Sequence, residues 1–177
     1  TLEAWVQYDA LKNWARIFDI GTGPDGDNLI LANQAATNAL CLNVRQGATG
    51  KEIVTANTTA AGIEIGVWTH IAATVDATGY GRIYKNGVQV AAGPLWLPRP
   101  GINRNKAYIG KSNWANEYLD GRVANARLWT RALSQGEIND YMNNYLQAYA
   151  DAPGLVVELR MAEGARSEEH TSELQSP

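Results

Sequence analysis

Short apolar or alternating runs recur along the chain between clusters of Gly, Asn, Asp and Pro. They predict ten strands, over residues 1–7, 15–20, 28–31, 39–45, 67–76, 82–86, 88–92, 106–109, 122–130 and 154–161, the pattern of an all-β sandwich or barrel. Alternation is clearest in two of them. Leu2, Ala4 and Val6 share one face and Glu3, Trp5 and Gln7 the other, while Ile71, Ala73 and Val75 oppose His70, Ala72 and Thr74. Such strands have one face for a core and one for solvent or a second layer. Asn86-Gly87, between RIYK and VQVA, predicts a two-residue type I′ hairpin, because that turn needs positive φ at both central residues. Lys85 shares the face of Ile83, so the inward face ends before this turn. Pro94, Pro98 and Pro100 exclude a central strand across 93–101 and leave a loop that carries Trp96.

One segment has helical spacing instead. Ser134 and Glu137 form an S-x-x-E capping box, and Ile138, Tyr141, Met142, Tyr145 and Leu146 follow on one face, which predicts a short helix over 134–146. Gly136 weakens its first turn, and it reads as a connector. Asp151-Ala152-Pro153-Gly154 then breaks the chain before the last strand.

Composition narrows the class. The 177 residues are 45% hydrophobic and 19% charged, which reads as one globular domain. At this size a fold buries about 70% of the surface of its unfolded chain, so a core forms without metals or disulfides. The single cysteine, Cys41 in ALCLNV, excludes an internal disulfide framework and a Cys-based zinc site, and reads as a buried, inert thiol. With 15 Lys+Arg against 18 Asp+Glu the chain lacks the basic field of a nucleic-acid binder; Arg99, Arg104, Lys106 and Lys111 are scattered and read as solvated. No run approaches the roughly 20 apolar residues of a membrane span, and none has the layout of a signal peptide.

The chain opens at Thr1 inside a strand and so reads as part of a longer protein. Residues 166–176 (RSEEHTSELQS) are polar, acidic and aperiodic, and resemble the in-frame translation of a sequencing-library adapter. Setting 166–177 aside as a non-native tail leaves one domain over 1–165, with 14 basic and 15 acidic residues and His70 as its one histidine.

The order of motifs carries a resemblance. LEAWVQ, ARIFDIGTGPDGDNLIL, VWTHIAATVD, RIYKNGVQV, YIGKSNW, YLDGRVANARLWTRALSQGEI and PGLVVELRMAEG resemble, in that order, the bacterial laminin-G-like jelly-roll domains of the concanavalin A-like lectin and glucanase superfamily. The resemblance implies two antiparallel sheets packed face to face, one of them curved, and a first strand missing before Thr1. Two departures stand out. Ala124-Asn125 occupies the place where family members usually carry an Asp-Glu pair, and the disulfide of extracellular animal relatives has no counterpart, which fits a bacterial or environmental origin.

Because the superfamily includes glycosidases, carboxylate spacing is informative. Retaining glycosidases hold two carboxyl groups about 5–5.5 Å apart, which a strand provides at i and i+2. No E-x-D-x-E strand is present; Asp25 and Asp27 alone have that spacing, in a Gly-rich loop. There is no G-x-S-x-G elbow, and His70 beside Trp68 reads as a packed strand histidine. The loop 21–28 (GTGPDGDN) supplies hard oxygen ligands of the kind Ca²⁺ selects, although Ala36 stands where an EF-hand needs its bidentate Glu. Two readings stay open: a calcium held by Asp25, Asp27 and Asn28, with Asp120 or backbone carbonyls completing the shell, or Asx-turn chemistry within the loop.

Six Trp against one Phe is an unusual balance, and indole faces stack on the C–H-rich faces of sugar rings. Trp114 and Tyr118, with the amides of Asn113 and Asn116, form one candidate ligand-binding group, and Trp96 in its Pro-bounded loop another. Equally open is Trp114 packing under its own loop. Trp5, Trp68 and Trp129 read as core or inter-sheet residues; Trp14 is undecided. The function expected is a non-catalytic binding module of a larger secreted or surface protein, with a glycan as the leading ligand and a surface protein as the alternative partner, in which case the chain is an interaction or spacer domain. The glycan reading expects Trp96, Trp114 or Tyr118 exposed beside a groove; the spacer reading expects them buried.

Overall fold

Two antiparallel sheets enclose one core in the computed structural model, which describes residues 1–116, 118–144 and 152–160. In chain order the strands are β1 (Leu2–Ala10), β2 (Arg16–Gly21), β3 (Leu29–Asn33), β4 (Leu40–Gln46), β5 (Thr49–Val54), β6 (Thr69–Val75), β7 (Tyr80–Lys85), β8 (Val88–Pro94), β9 (Lys106–Ile109), β10 (Asp120–Trp129) and β11 (Leu155–Leu159); α1 (Gln135–Tyr141) lies between β10 and β11. The six-stranded sheet runs β11-β10-β1-β6-β7-β8 and the five-stranded sheet β5-β4-β3-β2-β9. With one short helix among the described residues, this is the all-β jelly-roll sandwich that the sequence predicts.

Alternation explains the core. Leu2, Ala4 and Val6 of β1, Ile71 and Ala73 of β6 and Ile83 of β7 meet Ile17 and Phe18 of β2, Leu31 of β3 and Leu40, Leu42 and Val44 of β4. Asn86 and Gly87 both take positive φ, 49° and 77°, as the type I′ turn between β7 and β8 requires. The strand after that turn extends to Pro94 because β8 is an edge strand, whose last residue has no neighbour needing its N–H.

β5 has no counterpart among the predicted strands. Its residues TGKEIV are mostly exposed and show no alternation, because an edge strand has no partner on one side to bury them. The missed signal is Gly47-Ala48: Gln46 pairs with Thr49, and Gly47 at φ +68° opens a two-residue hairpin turn of the kind that starts with glycine.

A second layer covers the outside of the six-stranded sheet. The capping box at Ser134 and Glu137 forms as read, and Ile138 of α1 packs with Leu133, Ala152, Ala72, Tyr84 and Trp129. The helix ends at Tyr141, earlier than predicted, and Tyr145 and Leu146 lie outside the described residues. Beneath it sits a buried polar cluster. Glu3 accepts from Trp129 Nε1 at 3.0 Å, pairs with Arg127 at 3.4 Å and has His70 Nε2 at 3.4 Å. Arg127 also pairs with Glu158 at 3.0 Å and donates to Tyr141 O at 2.7 Å, while Trp5 Nε1 donates to Met142 O at 2.7 Å. His70 is thus a packed strand histidine, as expected.

Trp5 and Trp129 serve this outer layer rather than the space between the sheets. Trp68 corrects its expectation outright: it is 41% exposed, because it precedes the first paired residue of β6 and alternation does not yet apply. At Ala124-Asn125 the chain makes a bulge. Asn125 at φ +48° is the extra residue between the Glu3 and Trp5 registers, and it returns Ala126 to the core and Arg127 to the outer face.

Candidate functional site

The outer face of the five-stranded sheet carries a cleft of about 320 Å³, at the lower end of ligand-site volumes. Its floor follows from strand alternation. Leu40, Leu42 and Val44 point into the core, so Cys41, Asn43 and Arg45 of β4 face outward, and Glu52 of β5 stands directly across from Asn43. Across from Arg45 is Gly50, where an added Cβ would press on the cleft side chains, 2.7 Å from Asn43 Oδ1 and 3.1 Å from Arg45 Cγ.

A bulge in β2 builds the adjoining wall. Arg16 pairs with Ala32 but Phe18 with Leu31, so Ile17 and Phe18 both enter the core and Arg16 and Asp19 emerge on the same outer face, where plain alternation would separate them. Both are buried and lie 3.5 Å apart as an ion pair. Asp19 also grips the loop over the cleft: its Oδ2 accepts from Asn113 N at 2.9 Å and its Oδ1 from Asn113 Nδ2 at 2.8 Å. That loop is closed at its base by Leu119 N donating to Gly110 O at 2.9 Å, and Trp114 N donates to Ser112 Oγ at 3.0 Å.

Two tryptophans flank the opening, Trp114 from this loop and Trp14 from the turn before β2. The Arg16 guanidinium lies 5.8 Å from each ring centroid, and that of Arg45 5.1 Å from Trp114. Each such contact contributes about 0.5–2 kcal/mol, more as water is excluded. Trp14 takes φ +55°, a conformation a bulky residue rarely adopts, and is held there by its N–H to Ala35 O at 2.9 Å and by Arg16 Nη1 donating to its carbonyl at 2.8 Å. Burial lowers the Arg16 pKa, with Asp19 opposing the shift; burial and the Glu52 carboxylate push the Cys41 thiol well above its usual range and keep it neutral. Several buried polar atoms here have no hydrogen-bond partner: Asn43 Oδ1, Arg45 Nε and Arg16 Nε.

The candidate residues divide accordingly. Trp114 and Asn116 line the cleft. Asn113 does not line it; its amide anchors the loop to Asp19. Tyr118 is 65% exposed but is not part of the lining. Trp96 lies elsewhere, half-buried against the inter-sheet core with Lys51 Nζ 5.9 Å from its ring. Glu117 lies outside the described residues. Sequence reasoning left Trp14 undecided and missed Arg16, Asn43, Arg45 and Glu52; the period-two run Cys41-Asn43-Arg45 was the available signal for the sheet face.

The acidic loop is engaged differently. Asn28 Oδ1 accepts from Thr22 N at 3.0 Å and its Nδ2 donates to Gly23 O at 3.0 Å, while Asp27 Oδ1 accepts from Gly47 N at 2.9 Å and pairs with Arg99 at 3.3 Å. Asp25 pairs with Arg45 at 3.6 Å, and Asp120, on the other sheet, with Lys12 at 3.7 Å. These donors already face N–H groups and cations, and no group of three or more His, Cys, Asp or Glu among the described residues is placed to hold a metal. Asp25, Asp27 and Asn28 are thus engaged by protein groups around their loop, and Asp120 lies apart from them on the other sheet.

The chain belongs to the concanavalin A-like lectin/glucanases superfamily, whose model matches residues 1–139. No curated protein matches it significantly. Among solved structures it is similar to a Bacteroides ovatus protein put forward as carbohydrate-binding, at 20% identity and TM-score 0.65, covering 90% of this chain and 44% of that one. The Ruminococcus gnavus IT-sialidase CBM40, bound to α2,3-sialyllactose, matches at 12% identity and TM-score 0.62, over 78% and 79% of the two chains. Domain 4 of the extracellular arabinanase AbnA of Geobacillus stearothermophilus, in complex with arabinotriose, matches at 22% identity and TM-score 0.60, over 78% of this chain and 64% of that one. The chain thus spans less than half the length of the Bacteroides ovatus protein. At these identities the likeness is one of fold.

Proposed function

We propose that this chain is a carbohydrate-binding module, without catalysis of its own, within a larger secreted or surface protein, and that the Trp14–Trp114 cleft is its ligand site. One observation carries the reading: two indoles flank an open cleft lined by the polar side chains of Arg16, Asn43, Arg45, Glu52 and Asn116. Sugars present both an apolar ring face and a crown of hydroxyls, and such a site serves both. Neighbours of the same fold that hold sialyllactose and arabinotriose support it. So does the acid inventory, since among the described lining residues Glu52 alone has a carboxylate and glycoside hydrolysis by the usual route needs two. No helix among the described residues is long and apolar enough to cross a membrane.

Titration calorimetry against a panel of polysaccharides and oligosaccharides tests the reading. A member of the panel is expected to bind, and Trp114→Ala to weaken it about tenfold or more. Failure of the folded chain to bind any member overturns it. Protein docking is the second reading, favoured by the exposed apolar run of Ile65, Val67 and Trp68.

A further inference from the structure

The charges around the cleft point to a ligand class. Arg16 is matched by the buried Asp19 at 3.5 Å and Arg45 by Asp25 at 3.6 Å. Glu52 is left over. Its Oε2 accepts from Asn43 Nδ2 at 3.0 Å and from Cys41 Sγ at 3.5 Å, and no cation among the described residues forms an ion pair with it. Lys51, its neighbour in sequence, turns to Trp96 instead. The groups that face a ligand therefore comprise two neutralised guanidinium groups and one unmatched carboxylate.

We infer that the cleft takes a neutral glycan and discriminates against acidic sugars, an inference that rests on the carbohydrate-binding reading above. A sugar carboxylate would meet Glu52 at the cleft, and close juxtaposition of like charges is unfavourable. A hydroxyl both donates and accepts. Glu52 accepts from it, while the Arg45 guanidinium and the Asn116 amide donate to it, so a hydroxyl finds both an acceptor and a donor in the cleft.

The test is titration of the full chain with neutral arabino-, xylo-, gluco-, manno- and galacto-oligosaccharides, and with uronic- and sialic-acid-bearing oligosaccharides of matched length. The strongest neutral ligand is expected to bind about tenfold or more tightly than the strongest acidic one, and Glu52→Gln to narrow that ratio to about threefold or less. An acidic ligand that binds as tightly as the neutral ones, displacing Asp25 from Arg45, overturns the inference and leaves the carbohydrate reading standing. A ratio unmoved in a folded Glu52→Gln protein overturns the role of Glu52. Absence of binding by either class overturns both readings.

Discussion

Asp19 shows how one carboxylate joins the stability of the sheet to the shape of the cleft. It neutralises a buried arginine and, through two hydrogen bonds to Asn113, holds the loop that places Trp114 over the cleft. Asp19→Ala leaves the Arg16 charge buried and unpaired, and is expected to cost about 3–5 kcal/mol of stability, read from denaturant unfolding. Glu3 does similar work beneath α1. Burial opposes its ionisation, but His70, Arg127 and Trp129 outweigh that and hold its pKa below the ordinary 4.5. A depressed folded-state value contributes stability that is fully present above 4.5 and lost as the pH falls through the folded value. Unfolding free energy is therefore expected to decline as the pH drops below 4.5, and Glu3→Gln to flatten that decline; an unchanged slope in the variant counts against the assignment.

Among the elements, β4 and β5 form the floor of the cleft, and they show which parts of the site were legible in the sequence. β4 reads directly, because Leu40, Leu42 and Val44 alternate with Cys41, Asn43 and Arg45. β5 does not, because an edge strand leaves no apolar face to detect, so Glu52 could not be placed opposite Asn43. The β2 bulge is equally silent: Arg16 and Asp19 share a face only because Ile17 and Phe18 both turn inward. Loop composition pointed to Trp114 and Asn116, which line the cleft, and to Trp96, which packs against the core between the sheets instead. Gly50→Ala sets a methyl against Asn43 and Arg45 and is expected to weaken glycan binding with little change in Tm. Gly87→Ala acts elsewhere. Its positive φ costs about 1–2 kcal/mol for an L-residue, and the new methyl would meet Asn139 of α1, so thermal stability falls while glycan affinity stays.

For the molecule as a whole, the two sheets divide the labour. The six-stranded sheet carries the helical layer and its buried ionic cluster, and the five-stranded sheet keeps its outer face open as the cleft. The order of strands and turns made this jelly roll recognisable, but which outer face a helix would cover depends on contacts between residues more than a hundred positions apart, such as Trp5 with Met142. Because the acidic loop satisfies its own backbone, glycan binding is expected to persist in excess chelator; its loss there would return Asp25, Asp27 and Asn28 to the site. The most direct measurement follows the six Trp indole N–H resonances by NMR during titration with a bound glycan. Trp14 and Trp114 are expected to shift, while Trp5 and Trp129, hydrogen-bonded beneath α1, stay in place. Shifts confined to Trp68 or Trp96, with Trp14 and Trp114 unmoved, would contradict the assignment of the cleft as the binding site.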